Sequence, residues 1–528
     1  MIETAFGTSI AFTAPHRLAT KAGFDVLEAG GTAVEAMVAA AAQIAVVYPH
    51  MNSIGGDGFW LIKKQNRGPI AISACGPAAQ NANLGWYAKR GHSKTIPTRG
   101  PLAALTVPGT ISGWELALDI DGPSNPIPLT ELLSAAINKA KTGTAVSRNQ
   151  YDTLKSKKSE LAAVSGFKKF YFNGNHVPNT GSKLVQAKLG ETFEHLGRVG
   201  LADFYRGELG NVHAKFLQQQ GSPLGYGDFE KFKAEVQQPL SISTSVGKIF
   251  NLAPPTQGIS SLAILGIYDR IKKDTCDDFD FVHRLVEATK EAFITRNLEL
   301  GDPVDMRVSP EYLISDSYLE NSASKISLTK AMDWPEIAKK GDTIWMGAVD
   351  SEGTVVSFIQ SIFWEFGSGL ICPETGVLFQ NRGAGFSLSP GPNCLAPGKK
   401  PFHTLNPAMA VMNDGRIVSY GTMGGEGQPQ TQAAIFSRYA FHGCDLQRSI
   451  SAPRWLLGKT WGDDTTSLKL ESSFDAKLIN ELREANHQVE IVSANNSLMG
   501  HAGSVVSHPD GRVEAASDAR SDGIALAG

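Results

Sequence analysis

The sequence predicts an α+β protein, with helices and strands segregated along the chain rather than alternating. Three observations carry that reading. A capped, wholly apolar helix stands near the start, a mostly helical stretch runs from about Pro128 to Arg296, and short strands separated by glycine turns dominate after Asp342. At 528 residues the chain suffices for roughly two to four domain-sized units, or for one large fold with insertions.

The first element is a helix. Thr32-Ala33-Val34-Glu35 is a capping box, and Ala36 through Val47 is apolar on every face, which predicts burial on all sides. Pro49 ends it, and Asn52 to Gly58 is a glycine-rich turn into a strand at Phe59–Ile62. Helices are expected over Leu129–Thr142 and Phe281–Arg296, from apolar spacing near i, i+3/i+4 and i+7. Strands are expected at Ile344–Val349, Val355–Ile362, Ala408–Met412, Ile417–Tyr420, Gly503–His508 and Arg512–Ala516. Ser327–Gly341, with Pro335, Lys339 and Lys340, reads as a polar linker between the two halves.

Composition narrows the function. A net charge of −3 with no basic arm makes nucleic acid and anionic membrane poor partners. With 42% apolar and 19% charged residues, a large core is expected rather than disorder. Cys75, Cys276, Cys372, Cys394 and Cys444 are odd in number and contain no C-x-x-C, so reduced, buried thiols are expected instead of a disulfide framework or zinc ribbon. The start, Met1 to Ala5, lacks a secretory pattern, and Ala33–Val47 is too short for a membrane span. A cytoplasmic small-molecule enzyme follows. The common nucleotide-binding, zinc-protease and serine-hydrolase motifs do not occur, and no motif asks for a metal or cofactor. His16 and His50, beside prolines near element ends, are expected to be structural.

Gly341 to Ser361 is the informative segment. It reads as a β-hairpin around Asp350-Ser351-Glu352-Gly353, with Gly353 in the left-handed position of a three-residue loop. Asp350 then opposes Thr354, and the register sets Thr343 directly across from Ser361. The pair is either a nucleophile with its hydrogen-bonding partner or an ordinary cross-strand Thr/Ser pair.

Here the sequence resembles the γ-glutamyltransferase family of N-terminal-nucleophile hydrolases. The matching motifs, in order, are Ala22 to Ala36, Gly55-Gly56-Asp57-Gly58-Phe59, Val107-Pro108-Gly109-Thr110, Pro254-Pro255-Thr256, Leu300-Gly301-Asp302-Pro303, the Thr343 segment and Ala516 to Gly523. The resemblance implies a four-layer αββα sandwich and a precursor that cuts itself between Asp342 and Thr343. Residues 1–342 would form a large subunit and 343–528 a small one, plausibly assembled as a dimer of heterodimers. It also implies that Thr343 is the nucleophile, Ser361 the hydroxyl that orients it, and Gly424 and Gly425 the backbone donors of an oxyanion hole. The freed α-amine of Thr343, with a reference pKa of about 7.7–8.0, suits a general base.

The residues that would hold a glutamyl group depart from the family pattern. The arginine position reads Ala82, the acidic pair reads Ala384-Gly385, the serine pair reads His403-Thr404, and an expected asparagine is Phe363. The lid between Ser387 and Pro401 is also short. A charged amino-acid head would be left unpaired there, so glutathione and other γ-glutamyl compounds are disfavoured. Arg382, His403, Thr404 and Phe363 are the expected substrate-binding residues, and they suit a small carboxylate-bearing amide. The pattern looks most like the family members of bacterial purine breakdown that turn oxamate into oxalate and ammonia. A γ-glutamyltransferase, a glutaryl or cephalosporin acylase, and a non-catalytic scaffold of the same fold are the alternatives.

Overall fold

The structure, a computed structural model, describes residues 3–334, 342–458 and 466–528. Thr32 starts the helix Ala33–Val47 as the capping box predicts: its hydroxyl accepts from Glu35 N, and the Glu35 carboxylate accepts from Thr32 N. Every residue of that helix is buried. With the helix Arg17–Glu28 it packs on one face of a seven-stranded sheet whose order is Ile524–Ala527, Ala11–Ala14, Asp342–Val349, Val355–Phe363, Asp57–Lys63, Ile70–Ala74, Glu235–Gln237. A second seven-stranded sheet runs Ala5–Gly7, Val513–Ser517, Ala502–Ser507, Ile417–Thr422, Ala408–Met412, Gly247–Asn251, Leu240–Thr244.

Strand periodicity sorts the side chains between layers. In the first sheet Trp60, Ile62, Met346 and Phe358 face the helices, while Phe59, Leu61, Trp345 and Ile359 pack with Leu405, Met409 and Val505 of the other half. The far face of the second sheet is covered by the helices Gly258–Ile271, Phe279–Glu299 and Gln428–Phe436. The fold is therefore a four-layer αββα sandwich. Both faces of these sheets are covered, so a strand such as Val355–Phe363 is buried at every position although it reads as a mixed apolar and polar pattern.

Two local expectations need correction. The helix over Leu129–Thr142 is two pieces, Leu129–Leu132 and Ser134–Thr142, broken at Leu133 where ψ is −7°. Leu132 and Leu133 are both buried on either side of the break, and Leu133 joins the core beneath the first sheet. Of the five cysteines, all free, Cys75 and Cys372 are buried but Cys276, Cys394 and Cys444 are only partly so. The linker from Ser327 is irregular to Trp334, and its remainder, 335–341, lies outside the described residues. Among the described residues no helix is long and apolar enough to cross a membrane.

The hairpin forms as read. Asp350 N donates to Thr354 O, Gly353 N donates to Asp350 O, and Gly353 has φ +76°. Pairing runs from Val349↔Val355 to Ile344↔Gln360, but the next pair is Asp342↔Phe363. Ser361 and Ile362 thus share the single position opposite Thr343. This is a β-bulge, a device that re-aims side chains and is frequent beside active sites.

Candidate active site

Thr343 and Ser361 are fully buried, and the bulge brings their hydroxyls together rather than apart. Thr343 Oγ1 donates to Ser361 Oγ at 3.3 Å, and Ser361 Oγ also accepts from Phe363 N at 2.8 Å. Ser361 is in turn paired with Asp57 on the next strand. Directly paired residues point to the same side of a sheet. Thr343, Ser361 and Asp57 therefore form one row on the inner face, at the end of the inter-sheet core. A Cβ at Gly56 would collide with the Ser361 carbonyl oxygen, which accounts for the glycine just before Asp57.

Phe363, two residues past Ser361, is held at φ +81°. Its ring lies 3.8 Å beneath the Arg382 guanidinium carbon. Arg382 opens the short turn Arg382–Gly385 and is 1% exposed. Its Nη2 donates to Thr404 Oγ1 at 3.0 Å. Its Nε and Nη1 have no hydrogen-bond partner among the described residues. Burial pushes the guanidinium down to about 9, against the pull of Asp57 and Glu426, so it stays charged at neutral pH.

His403 is engaged on both ring nitrogens. Leu405 N donates to Nδ1 at 3.3 Å, which leaves the proton on Nε2, 3.0 Å from Asp57 Oδ2. Burial and Arg382 hold this imidazole neutral, well below its ordinary range. The other Asp57 oxygen accepts from Gly76 N at 3.3 Å, Gly109 N at 3.1 Å and Gln380 Nε2 at 3.1 Å. Burial nevertheless raises the Asp57 carboxyl to about 7.

Gly424 and Gly425 follow the strand Ile417–Thr422 with φ +128° and +53°, conformations that favour glycine. One buried amide ties this turn to the substrate-side loop: Gln257 Nε2 donates to Gly425 O at 2.8 Å and to Thr404 O at 2.9 Å. Arg296 holds the other end of that amide and pairs with Glu426. Asp57, Gln257 and Gln380 are the site residues that sequence reasoning missed. Asp57 left one trace, an acid inside a glycine-rich turn entering a buried strand. The two glutamines left none.

Away from the site, His283, Glu287 and His487 form a cluster with metal-ligand chemistry. The Lys290 ammonium already sits 2.7 Å from Glu287, and His283 Nδ1 and His487 Nε2 are hydrogen-bonded at 2.8 Å. This knot binds the irregular segment before residue 335: His283 Nε2 meets Ser327 O, Glu287 accepts from Met332 N, and Lys290 donates to Met332 O.

A paired Thr/Ser hydroxyl at the start of a central strand, between two sheets sandwiched by helices, is the arrangement of an amidohydrolase of the N-terminal-nucleophile class. Residues 19–528 match the gamma-glutamyltranspeptidase family, and the chain belongs to it. It is 49% identical over 515 residues to the oxamate amidohydrolase proenzyme of Klebsiella pneumoniae, covering 97% of each chain. It is 34% identical over 530 residues to the glutathione hydrolase-like YwrD proenzyme of Bacillus subtilis, covering 100% of each. Among solved structures, the cephalosporin acylase from Bacillus halodurans superposes with a TM-score of 0.92 at 27% identity, over 100% of this chain and 97% of that one. The enzyme thus acts on C–N amide bonds.

Proposed function

We propose that this chain cleaves itself between Asp342 and Thr343, leaving subunits 1–342 and 343–528, and then hydrolyses oxamate to oxalate and ammonia. One observation carries the substrate reading. Arg382 is a buried guanidinium with two unpartnered donor nitrogens, Nε and Nη1, stacked on a phenylalanine two residues past Ser361. A planar carboxylate can take Nη1–H, or Nε–H, together with the Nη2 hydrogen not directed at Thr404, which is the bidentate arrangement of a guanidinium. The burial of Thr343, Arg382, Thr404 and Phe363 favours a short substrate with its carboxylate next to the scissile carbonyl. Similarity to the Klebsiella oxamate amidohydrolase proenzyme supports the same reading.

In this reading Thr343 Oγ adds to the amide carbonyl while its proton passes to the freed α-amine. Ser361 holds the hydroxyl in line. The Gly424 and Gly425 N–H groups receive the oxyanion, where one such donor contributes about 3–4 kcal/mol. The C–N bond then breaks, the proton moves to the departing nitrogen, and water releases oxalate from the acyl-enzyme. His403, engaged on both nitrogens, shapes the pocket without donating to substrate. A dimer of such cleaved pairs in the cytoplasm completes the proposal. The likeness to a cephalosporin acylase favours a second reading, an acylase for a larger side chain.

Ammonia release across a panel of amides separates the two readings. Oxamate should be turned over, and Arg382→Ala should lose about 30- to 5000-fold in kcat/KM, the roughly 2–5 kcal/mol of a severed buried charge contact. Arg382→Lys should recover only part. A Thr343→Ala chain should remain whole on a denaturing gel, whereas the native chain should yield a fragment starting at Thr343. Preference for glutaryl amides over oxamate, or unchanged oxamate kinetics in Arg382→Ala, would overturn the oxamate reading.

A further inference from the structure

We propose that Asp57 is a specificity-determining residue: a fixed counter-charge to Arg382 that admits a monoanionic substrate and expels a dianionic product. The inference rests on the oxamate reading above and deepens it. Asp57 is fully buried and takes donors on both oxygens, from Gly76 N, Gly109 N and Gln380 on one and from His403 Nε2 on the other. Four donors of that kind hold an ionised carboxylate. None of them is a cation, because His403 is a neutral imidazole whose Nδ1 accepts from Leu405 N.

The cation that compensates Asp57 is Arg382, which acts on it through space without a hydrogen bond. The remaining titratable neighbours are the Cys75 thiol and the Tyr205 phenol, both raised by burial and therefore uncharged, and Glu426, whose charge Arg296 pairs. With the Thr343 α-amine in its neutral, basic form, the pocket thus sets one guanidinium against one carboxylate. A monoanion such as oxamate brings in a single excess charge and fills the free donors of Arg382. Hydrolysis turns the amide into a second carboxylate in the same volume. Oxalate then places two charges beside Asp57, which lies in the Thr343–Ser361 row and faces the reacting end. Like charges in a poorly screened site repel strongly. The product is driven out by the residue that leaves the substrate bound.

Asp57 holds His403, the backbone next to it carries Thr404, and the Thr404 hydroxyl accepts from Arg382. Asp57 therefore fixes the geometry of the anion site as well as its charge.

Competitive inhibition by two probes tests the filter: pyruvate, a non-hydrolysable monoanion of oxamate's shape, and oxalate. At pH 8 the wild type should bind pyruvate well and oxalate poorly. In Asp57→Asn the ratio of the oxalate to the pyruvate inhibition constant should fall by about 10-fold or more, the factor equivalent to one pKa unit of charge interaction. Wild-type enzyme taken from pH 8 to pH 6 should show a fall as well, since oxalate stays a dianion while the Asp57–His403 pair and the Thr343 α-amine each take up a proton; the fall should be smaller in Asp57→Asn, which keeps only the amine. Asp57→Ser, which also removes the charge, replaces Asp57→Asn in both experiments should the latter not fold. A ratio equal in wild type and variant at both pH values, with Arg382→Ala still weakening both inhibitors, overturns the filter and leaves the Arg382 reading standing. Inhibition by both anions that ignores Arg382→Ala removes the underlying reading itself.

Discussion

At Phe363 the backbone holds φ +81°, a region that costs a bulky side chain roughly 1–3 kcal/mol. The strain persists because the residue is fixed from both sides. Its N–H is bound by Ser361 Oγ and its ring supports Arg382. Ser361 therefore serves two partners at once, Thr343 and the strained amide. Ser361→Ala leaves the Phe363 N–H without its buried acceptor and should destabilise the fold by about 1–3 kcal/mol. It should slow self-cleavage and turnover further than that, toward 100-fold, because misplacing a nucleophile by about 1 Å costs on that order. Ser361→Thr, which keeps the hydroxyl, should restore most of both rates. Equal rates in wild type and Ser361→Ala, followed by gel densitometry and ammonia assay, would reduce Ser361 to a packing residue. Thr343, Ser361 and Arg382 were legible in the sequence because their residue types carry the chemistry by themselves. Asp57 was not, because its role comes from four donors that lie far apart along the chain.

The hairpin teaches the same lesson one level up. Gly353 and Asp350 announce the turn locally, and the register followed correctly from them as far as Ile344. The bulge at Thr343 was invisible, since nothing in the alternation of apolar residues marks where a ladder gains one residue. Asp350 does more than turn the chain. Its Oδ1 accepts from Glu352 N and Thr354 N, and its Oδ2 accepts from Ala33 N at the start of the buried helix. Burial raises this carboxyl, against the pull of those three backbone N–H donors. Asp350→Asn keeps one acceptor oxygen but turns its NH2 on the donor at the other, and should cost about 1–2 kcal/mol; Asp350→Ala, which loses all three contacts, should cost about 2–3 kcal/mol. Urea midpoints check the order. An alanine variant as stable as the asparagine one would remove Asp350 from this role.

Across the whole molecule, buried imidazoles set the response to acid. Burial lowers His16 and His501 to about 4, His213 and His487 to about 3, and His50 well below the ordinary range. In the unfolded chain each titrates near 6.5, so below that pH the unfolded state binds more protons and stability falls as pH falls. The loss is about 2 kcal/mol per histidine between pH 6.5 and pH 5. Asp57, raised to about 7, works in the opposite direction between about pH 4 and pH 7, as do the raised carboxyls of Asp350 and Glu291, and three groups do not offset five. The lowered carboxylates, such as Asp280 and Asp518, lose their contribution only below the ordinary carboxylate range, outside this window. The urea midpoint should therefore drop steadily from pH 7.5 to pH 5. A midpoint that stays constant over that interval would contradict neutral burial of these rings.

The sequence by itself determined the class of the fold, the capped buried helix and the hairpin, and it singled out Thr343, Ser361, Gly424, Gly425 and Arg382 as candidates. Each is a local pattern: a cap is four residues, a hairpin some twenty, and a hydroxyl or a guanidinium declares its chemistry wherever it stands. Only the tertiary structure decided that a bulge aims Thr343 at Ser361, that Gln257 ties the glycine turn to Thr404, and that Asp57 meets His403 Nε2. The Gln257 and Asp57–His403 contacts join residues more than a hundred positions apart, and even Thr343 and Ser361 meet only because a bulge re-aims them. Their energies depend on burial and on which donors converge at one oxygen, and neither quantity is set until both sheets and both helical layers are in place.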